Sequence, residues 1–344
     1  MNDLLTSFPI VILTGAGASK SLGKATTYDI YDSPEFEERC RVSPFNVLGE
    51  LRAFLRQDDA EDPVDLEFLL DYVLDLNVKF DHLHRVPHYH GYLENMVPTR
   101  RNFDEAYQQA LDFMVEYYGN VDRDMAAALY EPFFKGLQAI LGIPVIPLFT
   151  LNYDEAVESA VDELRDYALV DGFRTGYRPV WTRDVFDKFA EGGLTRVVLF
   201  KLHGSVSWTR PDGSDRIERT VSLPRRRPGR EHVVLYPTRL HKAIDKEPFA
   251  TAYQYFEAAL SRARLGVFIG TSFRDAELLQ VISRASDRAK PFTLMAVGPD
   301  VNRGEVASRT GFPGERVRAV NISFQPDQIP ALFTKINAEL SSRG

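Results

Sequence analysis

The chain has 344 residues, of which 44% are hydrophobic, and its formal net charge is −8. This length and hydrophobic content suffice for one large or two ordinary globular domains with a buried core. The acidic balance argues against a surface built broadly for nucleic acid, which needs clustered Lys and Arg. The single cysteine, Cys40, excludes internal disulfides and any metal site made of several thiolates, and it is expected to pack as a small apolar side chain.

The first predicted element is a strand, a tight turn and a helix start over VILTGAGASK, residues 11–20. Unpaired backbone N–H groups in such a turn, together with the dipole of the following helix, favour an anion. We therefore predict that Gly15, Ala16, Gly17 and Ser19 contact a phosphate-bearing ligand.

Two known phosphate motifs fit this turn incompletely. A Walker P-loop would fall on Gly17 to Ala25, where its spacing is one residue too long and Ala25 replaces the hydroxyl residue. The dinucleotide fingerprint G-x-G-x-x-G matches at Gly15 and Gly17 but has Lys20 at the third glycine position. The turn alone thus excludes the P-loop and leaves the dinucleotide site open.

Between Ser19 and Thr150 the one strand-like run is the run that leads into Thr150, and residues 45–140 are predicted to be a helical insertion. Asp62 and Pro63 are expected to cap and begin one helix. Apolar residues at helical spacing support this helix and a second one. They are Leu66, Leu69, Leu70, Val73 and Leu76 in the first, and Tyr107, Leu111, Met114 and Tyr118 in the second.

Two other segments carry unusual composition without a predicted site. The run HLHRVPHYH holds His82, His84, His88 and His90, but no carboxylate or cysteine stands at a recognisable ligand spacing, so no metal site is expected. Residues 211–231 are rich in Pro, Gly and Arg and are expected to form a solvated loop, either irregular or built around a short hairpin.

Short apolar, β-branched runs predict the strands of the fold. Their near-continuous apolarity is typical of buried parallel strands, and helical periodicity fills most of the gaps between them. The runs are 9–14, 143–150, 196–202, 233–236, 265–271, 292–298 and 318–323. The sequence therefore predicts an α/β fold, a doubly wound Rossmann-like parallel sheet with a helical insertion, in a single domain over residues 1–344.

Polar residues follow three of these strands, where an open parallel sheet presents its ligand crevice. They are Asn152 and Asp154, then His203, and then Gly270, Thr271 and Ser272. In this order, GAGAS, TLNYD, HG and GTS resemble the sirtuin family, whose pattern runs GAGxS, TQNxD, HG and GTS. Only the Gln is replaced, by Leu151, and the resemblance spans about residues 9–300.

The departures from the family pattern narrow this resemblance. Sirtuin deacylases continue after GAGxS with G-I-P-D-F-R, whereas this chain has KSLGKATTYDIYDS, and their four-cysteine zinc module cannot be built with one cysteine. The segment GTSFRD, preceded by Leu235-Tyr236-Pro237, looks like the zinc-less bacterial sirtuin-like branch. Members of that branch degrade NAD during phage infection.

The resemblance implies roles for the polar residues in NAD chemistry. Nicotinamide leaves its ribose as a neutral ring, so the reaction needs a base but no general acid, and a histidine suits the base. His203 is expected to be this general base, and Asn152 to orient water or a ribose hydroxyl. Asp154 is expected either to contact the ribose or to cap the following helix, and Asp275 to act as a cap only.

The remaining site residues are assigned to the two ends of NAD. Gly15, Ala16, Gly17 and Ser19 are expected at the pyrophosphate. The turn that contains Gly270, Thr271 and Ser272 is expected on the adenosine side.

These expectations define the activity and its alternatives. We expect hydrolysis of NAD to nicotinamide and ADP-ribose, without zinc, by an antiphage effector of abortive infection. An NAD-dependent protein deacylase and a non-catalytic NAD or ADP-ribose sensor remain open.

Location and partners follow from the same reasoning. The short apolar run near Ile10 is neither an export signal nor a membrane span, so a cytoplasmic location is expected, without membrane or direct nucleic-acid binding. Because an enzyme that drains NAD must be held inactive, we expect a homo-oligomer built through the helical insertion. The resemblance adds a possible activating partner, a HerA-like ATPase or a short Argonaute.

Overall fold

The computed structural model describes most of the chain, and the chain divides into two compact units. The described residues are 3–24, 26–43, 45–55, 66–85, 97–176, 179–188, 193–220, 229–235, 244–286 and 292–342. Unit 1 comprises Met1–Lys24, Tyr118–Val234 and Ala243–Gly344, and unit 2 comprises Ala25–Tyr117 and Leu235–Lys242. No helix within the described ranges is long and apolar enough to cross a bilayer.

Unit 1 is organised around a parallel sheet of seven strands in the order β10-β9-β8-β1-β2-β4-β3. Neighbouring strands run parallel throughout, and β1 lies between β2 and β8. The strands are β1 (Ile10–Thr14), β2 (Val145–Thr150), β3 (Tyr167–Val170), β4 (Thr195–Lys201), β8 (Leu265–Ile269), β9 (Thr293–Gly298) and β10 (Val317–Asn321). This sheet confirms the predicted doubly wound, Rossmann-like fold.

A second sheet of three antiparallel strands in the order β6-β5-β7 follows directly after β4. Its strands are β5 (Gly204–Pro211), β6 (Glu218–Arg219) and β7 (Arg230–Val234). The predicted strand over 233–236 was therefore wrong in its place, because its described part belongs to this small sheet and not to the parallel one. Residues 221–228 of the Arg-rich segment lie outside the described residues.

Helices cover both faces of the parallel sheet in unit 1. Outside the insertion the chain forms a 3₁₀ helix, Ala16–Leu22, and the helices α6 (Arg123–Leu141), α7 (Ala156–Glu163), α8 (Asp184–Asp187), α9 (Phe249–Arg262), α10 (Ala276–Ser286), α11 (Arg303–Thr310) and α12 (Ile329–Ser341). Alternate strand residues point to opposite faces, and every residue of β1, β2 and β8 is buried, so both faces of the sheet are covered.

Each face of the sheet has its own core. On one face, α6 and α12 pack with strand residues such as Ile146 and Val267 in a single buried cluster. On the other, Phe149 and Phe200 stack with ring centroids 4.9 Å apart and meet Phe256 and Tyr255 of α9. The two cores fix the strands between them, and with them the loops at the carboxyl ends.

Unit 2 is helical in its described part. Its helices are α1 (Thr27–Tyr31), α2 (Pro34–Arg39), α3 (Asn46–Leu55), α4 (Leu66–His84) and α5 (Val97–Gly119). The rings of Phe36, Phe45 and Phe113 pack against one another at centroid distances of 5.4 to 6.4 Å. Burial raises the pKa of the nearby Cys40 thiol to about 11, which agrees with an unreactive, packed cysteine.

The boundaries of unit 2 differ from those predicted for the helical insertion. Residues 45–140 were expected, but unit 2 begins at Ala25, and α6 belongs to unit 1. The reason is that α6 carries a broad apolar face, including Phe133 and Phe134, which is buried on the parallel sheet. The predicted cap at Asp62 and the histidines His88 and His90 lie outside the described residues.

The turns after β1 and β8 approach each other so closely that only glycine fits. A Cβ on Gly15 would lie 2.8 Å from the carbonyl oxygen of Gly270, and one on Gly17 would lie 2.7 Å from the Gly270 Cα. Gly270 itself has φ of +65°, and a Cβ there would lie 2.3 Å from the Ala18 nitrogen. These glycines are therefore required by backbone packing.

We predict that Gly270→Ala destabilises unit 1 more than the same change at Gly142. Gly142 also has a left-handed φ, +69°, but nothing lies within 4 Å of the position of its Cβ. Gly142→Ala should lower the free energy of unfolding by about 1–2 kcal/mol through backbone strain alone. Gly270→Ala should lose a further ~1–3 kcal/mol because of the clash.

Urea unfolding of the two variants beside the unchanged chain measures this difference. Equal losses in both variants would show that the close approach between the two turns contributes nothing to stability.

Candidate active site

The polar residues predicted as site residues lie at the carboxyl ends of β1, β2, β4 and β8, four neighbouring strands of the parallel sheet. Backbone hydrogen bonds fix the loops that leave these strands. Leu151 N–H donates to the Thr14 carbonyl and Leu202 N–H to the Thr150 carbonyl, over 2.9 and 2.8 Å. These bonds extend the hydrogen-bond pattern of the parallel sheet into the first residue of each of the two loops.

The glycine N–H groups of the first turn bind within the protein. Gly15 N–H donates to the Ile269 carbonyl at 2.8 Å, and Gly17 N–H donates to the Gly270 carbonyl at 2.9 Å. The expectation that unpaired glycine N–H groups receive a phosphate therefore does not hold for these two groups here. Their donors are used because the turn packs directly on the end of β8.

Ser19, Asn152 and Asp154 form one buried hydrogen-bond network. The Ser19 hydroxyl donates to Asp154 Oδ2 at 2.7 Å and accepts from Asn152 Nδ2 at 2.9 Å. Because the Ser19 hydroxyl has only one hydrogen and donates it to Asp154, the Asn152 amide must present its NH₂ group to Ser19. The structure thus brings together three predicted residues from two different loops.

Asp154 is held by contacts on both carboxylate oxygens. Its Oδ1 accepts from the Ala156 N–H at 3.0 Å, at the start of α7, while Oδ2 accepts from Ser19. Of its two predicted roles, the one at the helix start is represented by this bond to the first N–H of α7, although Glu155 and not Asp154 stands at the N-cap position. The second oxygen orients Ser19.

The ionised form of Asp154 is disfavoured at this buried position. Burial raises the pKa of this carboxyl, and the opposing effects of the Lys201 charge and the Ser19 hydrogen bond are smaller. Lys201, itself buried, donates to the Asp154 carbonyl and to Glu158 Oε1, the latter at 2.8 Å. Burial also lowers the pKa of Lys24, which the Asp154 charge partly opposes.

Three buried oxygens around these loops have no hydrogen-bond partner among the described residues. They are Asn152 Oδ1, Thr14 Oγ1 and Thr271 Oγ1. Buried polar atoms in native proteins are nearly always satisfied, so such atoms point to a missing ligand or water. The Asn152 oxygen is the most informative, because the Ser19 contact holds its amide in one orientation.

His203 lies in the two-residue link between β4 and β5 and is 7% exposed. The ring of Tyr153, next to Asn152, stacks on the imidazole at a centroid distance of 6.1 Å. The Tyr253 hydroxyl lies 3.4 Å from His203 Nε2. Burial, with the charges of Asp275 and Glu277, raises the pKa of Tyr253, so its hydroxyl stays protonated at neutral pH.

In the loop after β8, the three predicted site residues lie in different environments. Thr271 is half-buried beside Gly15, whereas Ser272 is exposed and its carbonyl accepts from the Arg309 guanidinium at 2.7 Å. Gly270 packs on the first turn. Of this group, only Thr271 presents a buried side-chain oxygen without a partner among the described residues.

Sequence reasoning missed part of the surroundings of His203. Asp275 was expected to act as a cap only, and Tyr153, Tyr253 and Lys201 were not singled out. Asp275 Oδ1 does accept from the Leu278 N–H at 2.7 Å, but Oδ2 lies 3.1 Å from His203 Nε2. No local pattern reveals this contact, because it joins residues far apart in the chain.

The described part of the chain contains no group of three or more His, Cys, Asp and Glu side chains that could hold a metal ion. Of the four histidines in the run from His82 to His90, only His82 has a described side chain, and it is exposed.

Comparison with known proteins gives a match over part of the chain. Residues 147–307, which include Asn152, His203 and the loop after β8, match the family model described as "SIR2-like domain". No curated protein matches the sequence detectably.

Solved structures give matches of low sequence identity over nearly the full length. A triple mutant of a Sir2 homologue in complex with 2′-O-acetyl ADP ribose has a TM-score of 0.49 and 14% identity, covering 98% of this chain and 95% of that one. A mutant Sir2 homologue in complex with ADP ribose has a TM-score of 0.46 and 15% identity, covering 99% of this chain and 98% of that one. A Sir2 homologue in complex with NAD has a TM-score of 0.46 and 14% identity, covering 98% of this chain and 94% of that one.

The raised pKa of Asp154 predicts a pH-dependent stability difference between the unchanged chain and Asp154→Asn. A carboxyl whose pKa is higher in the folded state binds more protons there than in the unfolded state. Its contribution is therefore present below the unfolded-state pKa and is lost as pH rises through the folded-state pKa.

We expect the stability of the unchanged chain, relative to Asp154→Asn, to fall as pH rises above the ordinary carboxyl range. Urea unfolding of both proteins from about pH 4 to about pH 8 measures it, and other titrating groups cancel in the difference. A difference that does not change with pH would contradict the assignment.

Proposed function

We propose that this protein hydrolyses NAD to nicotinamide and ADP-ribose. The observation that carries the proposal is the buried Asn152 amide oxygen, oriented by Ser19 and without a partner among the described residues. It lies on the loop after β2, and His203 follows the neighbouring strand β4. The SIR2-like match over residues 147–307, a range that contains both residues, supports a function in NAD chemistry.

The proposed reaction needs little from the protein beyond a base and orientation. The bond between ribose C1′ and the nicotinamide nitrogen breaks, and its electron pair neutralises the pyridinium ring. The oxygen of a water molecule bonds to C1′, and a proton of that water passes to His203. The Asn152 oxygen accepts a hydrogen bond from the water or from a ribose hydroxyl, which fixes its position.

Burial explains why His203 suits this role. An imidazole has an ordinary pKa near neutrality, so it accepts a proton readily at cellular pH. Tyr153 and Tyr253 pack against His203, which is 7% exposed as a whole residue, so most bulk water is excluded from its surroundings. Hydrogen bonds and charges act more strongly in such a site than in water.

The rest of the proposed ligand contacts follow the loops. Ser19 and Ala16 lie on the turn after β1, and Thr271 lies on the turn after β8. In the sheet, β1 stands between β8 and β2, the strand that leads into Asn152. We assign the turn after β1 to the pyrophosphate and that after β8 to the adenosine end. Because Gly15 and Gly17 use their N–H groups internally, we assign them a role in shaping the turn.

We also propose a biological setting for this activity. The sirtuin-like motifs without deacylase elements favour a zinc-less antiphage effector that depletes NAD in abortive infection, in the cytoplasm. Control would come from homo-oligomerisation through unit 2 or from a partner such as a HerA-like ATPase or a short Argonaute.

We predict that His203→Ala and Asn152→Ala abolish most NAD turnover. Loss of a general base typically lowers the rate by about 10² to 10⁴-fold, and loss of the orienting amide should act in the same direction. Chromatography of NAD, nicotinamide and ADP-ribose measures turnover. His82→Ala is the matched control, because His82 is exposed in unit 2 and should leave activity unchanged.

The same assay separates the alternatives. Intact NAD with the protein alone and with its activating partner, or full activity in both variants, would refute the proposal. Deacylation of an acetylated peptide in preference to NAD loss would favour a deacylase. Tight NAD binding without turnover would favour a sensor.

A separate prediction concerns assembly. If activity depends on oligomerisation, turnover per protomer should rise with protein concentration together with the oligomeric fraction. Size-exclusion chromatography with light scattering, beside turnover measurements, tests it. A fully active monomer would contradict control by assembly.

A further inference from the structure

Asp275 is placed by an unusual turn. After β8 ends at Ile269, the chain adopts positive φ at Gly270, +65°, and again at Phe273, +54°. A left-handed backbone is unfavourable for phenylalanine and persists only where the surroundings hold it. The Phe273 side chain is buried and meets Phe268 at a centroid distance of 5.5 Å, which holds the turn and directs Asp275 toward His203.

Capping of α10 explains one of the contacts of Asp275. Oδ1 accepts from the Leu278 N–H, as expected of an N-cap. Oδ2 instead lies 3.1 Å from His203 Nε2, and the two side chains are only 11% and 9% exposed. A carboxylate and an imidazole at this distance, largely shielded from water, interact much more strongly than at the surface.

The contact has a definite consequence for the imidazole. A carboxylate only accepts hydrogen bonds, so Nε2 carries the hydrogen, and Nδ1 is the basic nitrogen of the neutral ring. The negative charge also favours the protonated ring and thus strengthens the base. Among the described residues, the phenols of Tyr153 and Tyr253 also face the ring, and the Glu277 carboxylate lies near Tyr253.

We propose that Asp275 is a positioning residue that holds His203 in the Nε2–H tautomer and strengthens it as a base. The effect on rate rests on the proposed function, whereas the tautomer and titration of His203 do not. Both can therefore be tested separately.

The first experiment is NMR titration of the full chain labelled with ¹⁵N-histidine, without NAD. Long-range ¹H–¹⁵N correlations distinguish the tautomers, and His203→Gln assigns its signal among the seven histidines. We expect the Nε2–H form in the unchanged chain, and in Asp275→Asn a titration midpoint lower by about one pH unit. Asparagine keeps an oxygen for the cap on α10, while its amide NH₂ replaces the charged acceptor that faces Nε2.

The matched control is Asp122→Asn. Asp122 caps α6 through a 2.9 Å hydrogen bond from the Met125 N–H and is exposed, so the same substitution should leave the midpoint of His203 unchanged. If Asp275→Asn fails to fold, Asp275→Ser, which also retains a capping oxygen, takes its place. An Nδ1–H tautomer in the unchanged chain, or an unshifted midpoint in the variant, overturns the proposal.

The second experiment follows NAD turnover against pH. In Asp275→Asn we expect kcat to fall about tenfold or more, within the ~10² to 10⁴ that a general base contributes, with KM nearly unchanged. The pH at which activity is lost on the acid side should move with the NMR midpoint. If no protein turns over NAD while the midpoint still shifts, the proposed function fails and the pairing of Asp275 with His203 stands.

Discussion

The backbone contact between the turns after β1 and β8 is the constraint on which the candidate site depends. Two N–H donors of the glycine turn bind to carbonyls at the end of β8, and no Cβ fits between the two segments. This contact fixes where the 3₁₀ helix begins, and thus where Ser19 lies. Ser19 in turn orients Asn152 and contacts Asp154. The glycines therefore act on the site through packing and register.

Sequence reasoning predicted the parts of the fold that depend on buried, regular apolarity. Most strands of the parallel sheet were found because both of their faces are apolar. β3 was missed because it has only four residues, two of them half-buried, at a sheet edge between charged segments. β5 was missed because serines and threonine occupy buried positions such as Ser205 and Ser207. The clustering of Ser19, Asn152 and Asp154 was predictable, since parallel strands end at one edge.

What could not be predicted depends on long-range geometry. The use of the glycine N–H groups follows from the register of β1 against β8, which the sequence does not reveal. The second contact of Asp275 depends on a left-handed phenylalanine, a conformation that no residue pattern signals. Likewise α6 has the periodicity of the insertion helices, and only its burial on the sheet assigns it to unit 1.

His203 lies between two sheets, so the length of the segment that joins them determines where the imidazole lies. Lys201 is paired with Thr150 in the parallel sheet, and Gly204 is paired with Val234 in the antiparallel sheet. The link between them is only Leu202 and His203, so both of its ends are anchored. An insertion or deletion of one residue would displace the link by about 3 Å, the rise of one extended residue. The position of the imidazole is thus fixed by the length of this link as well as by the side chains that contact the ring.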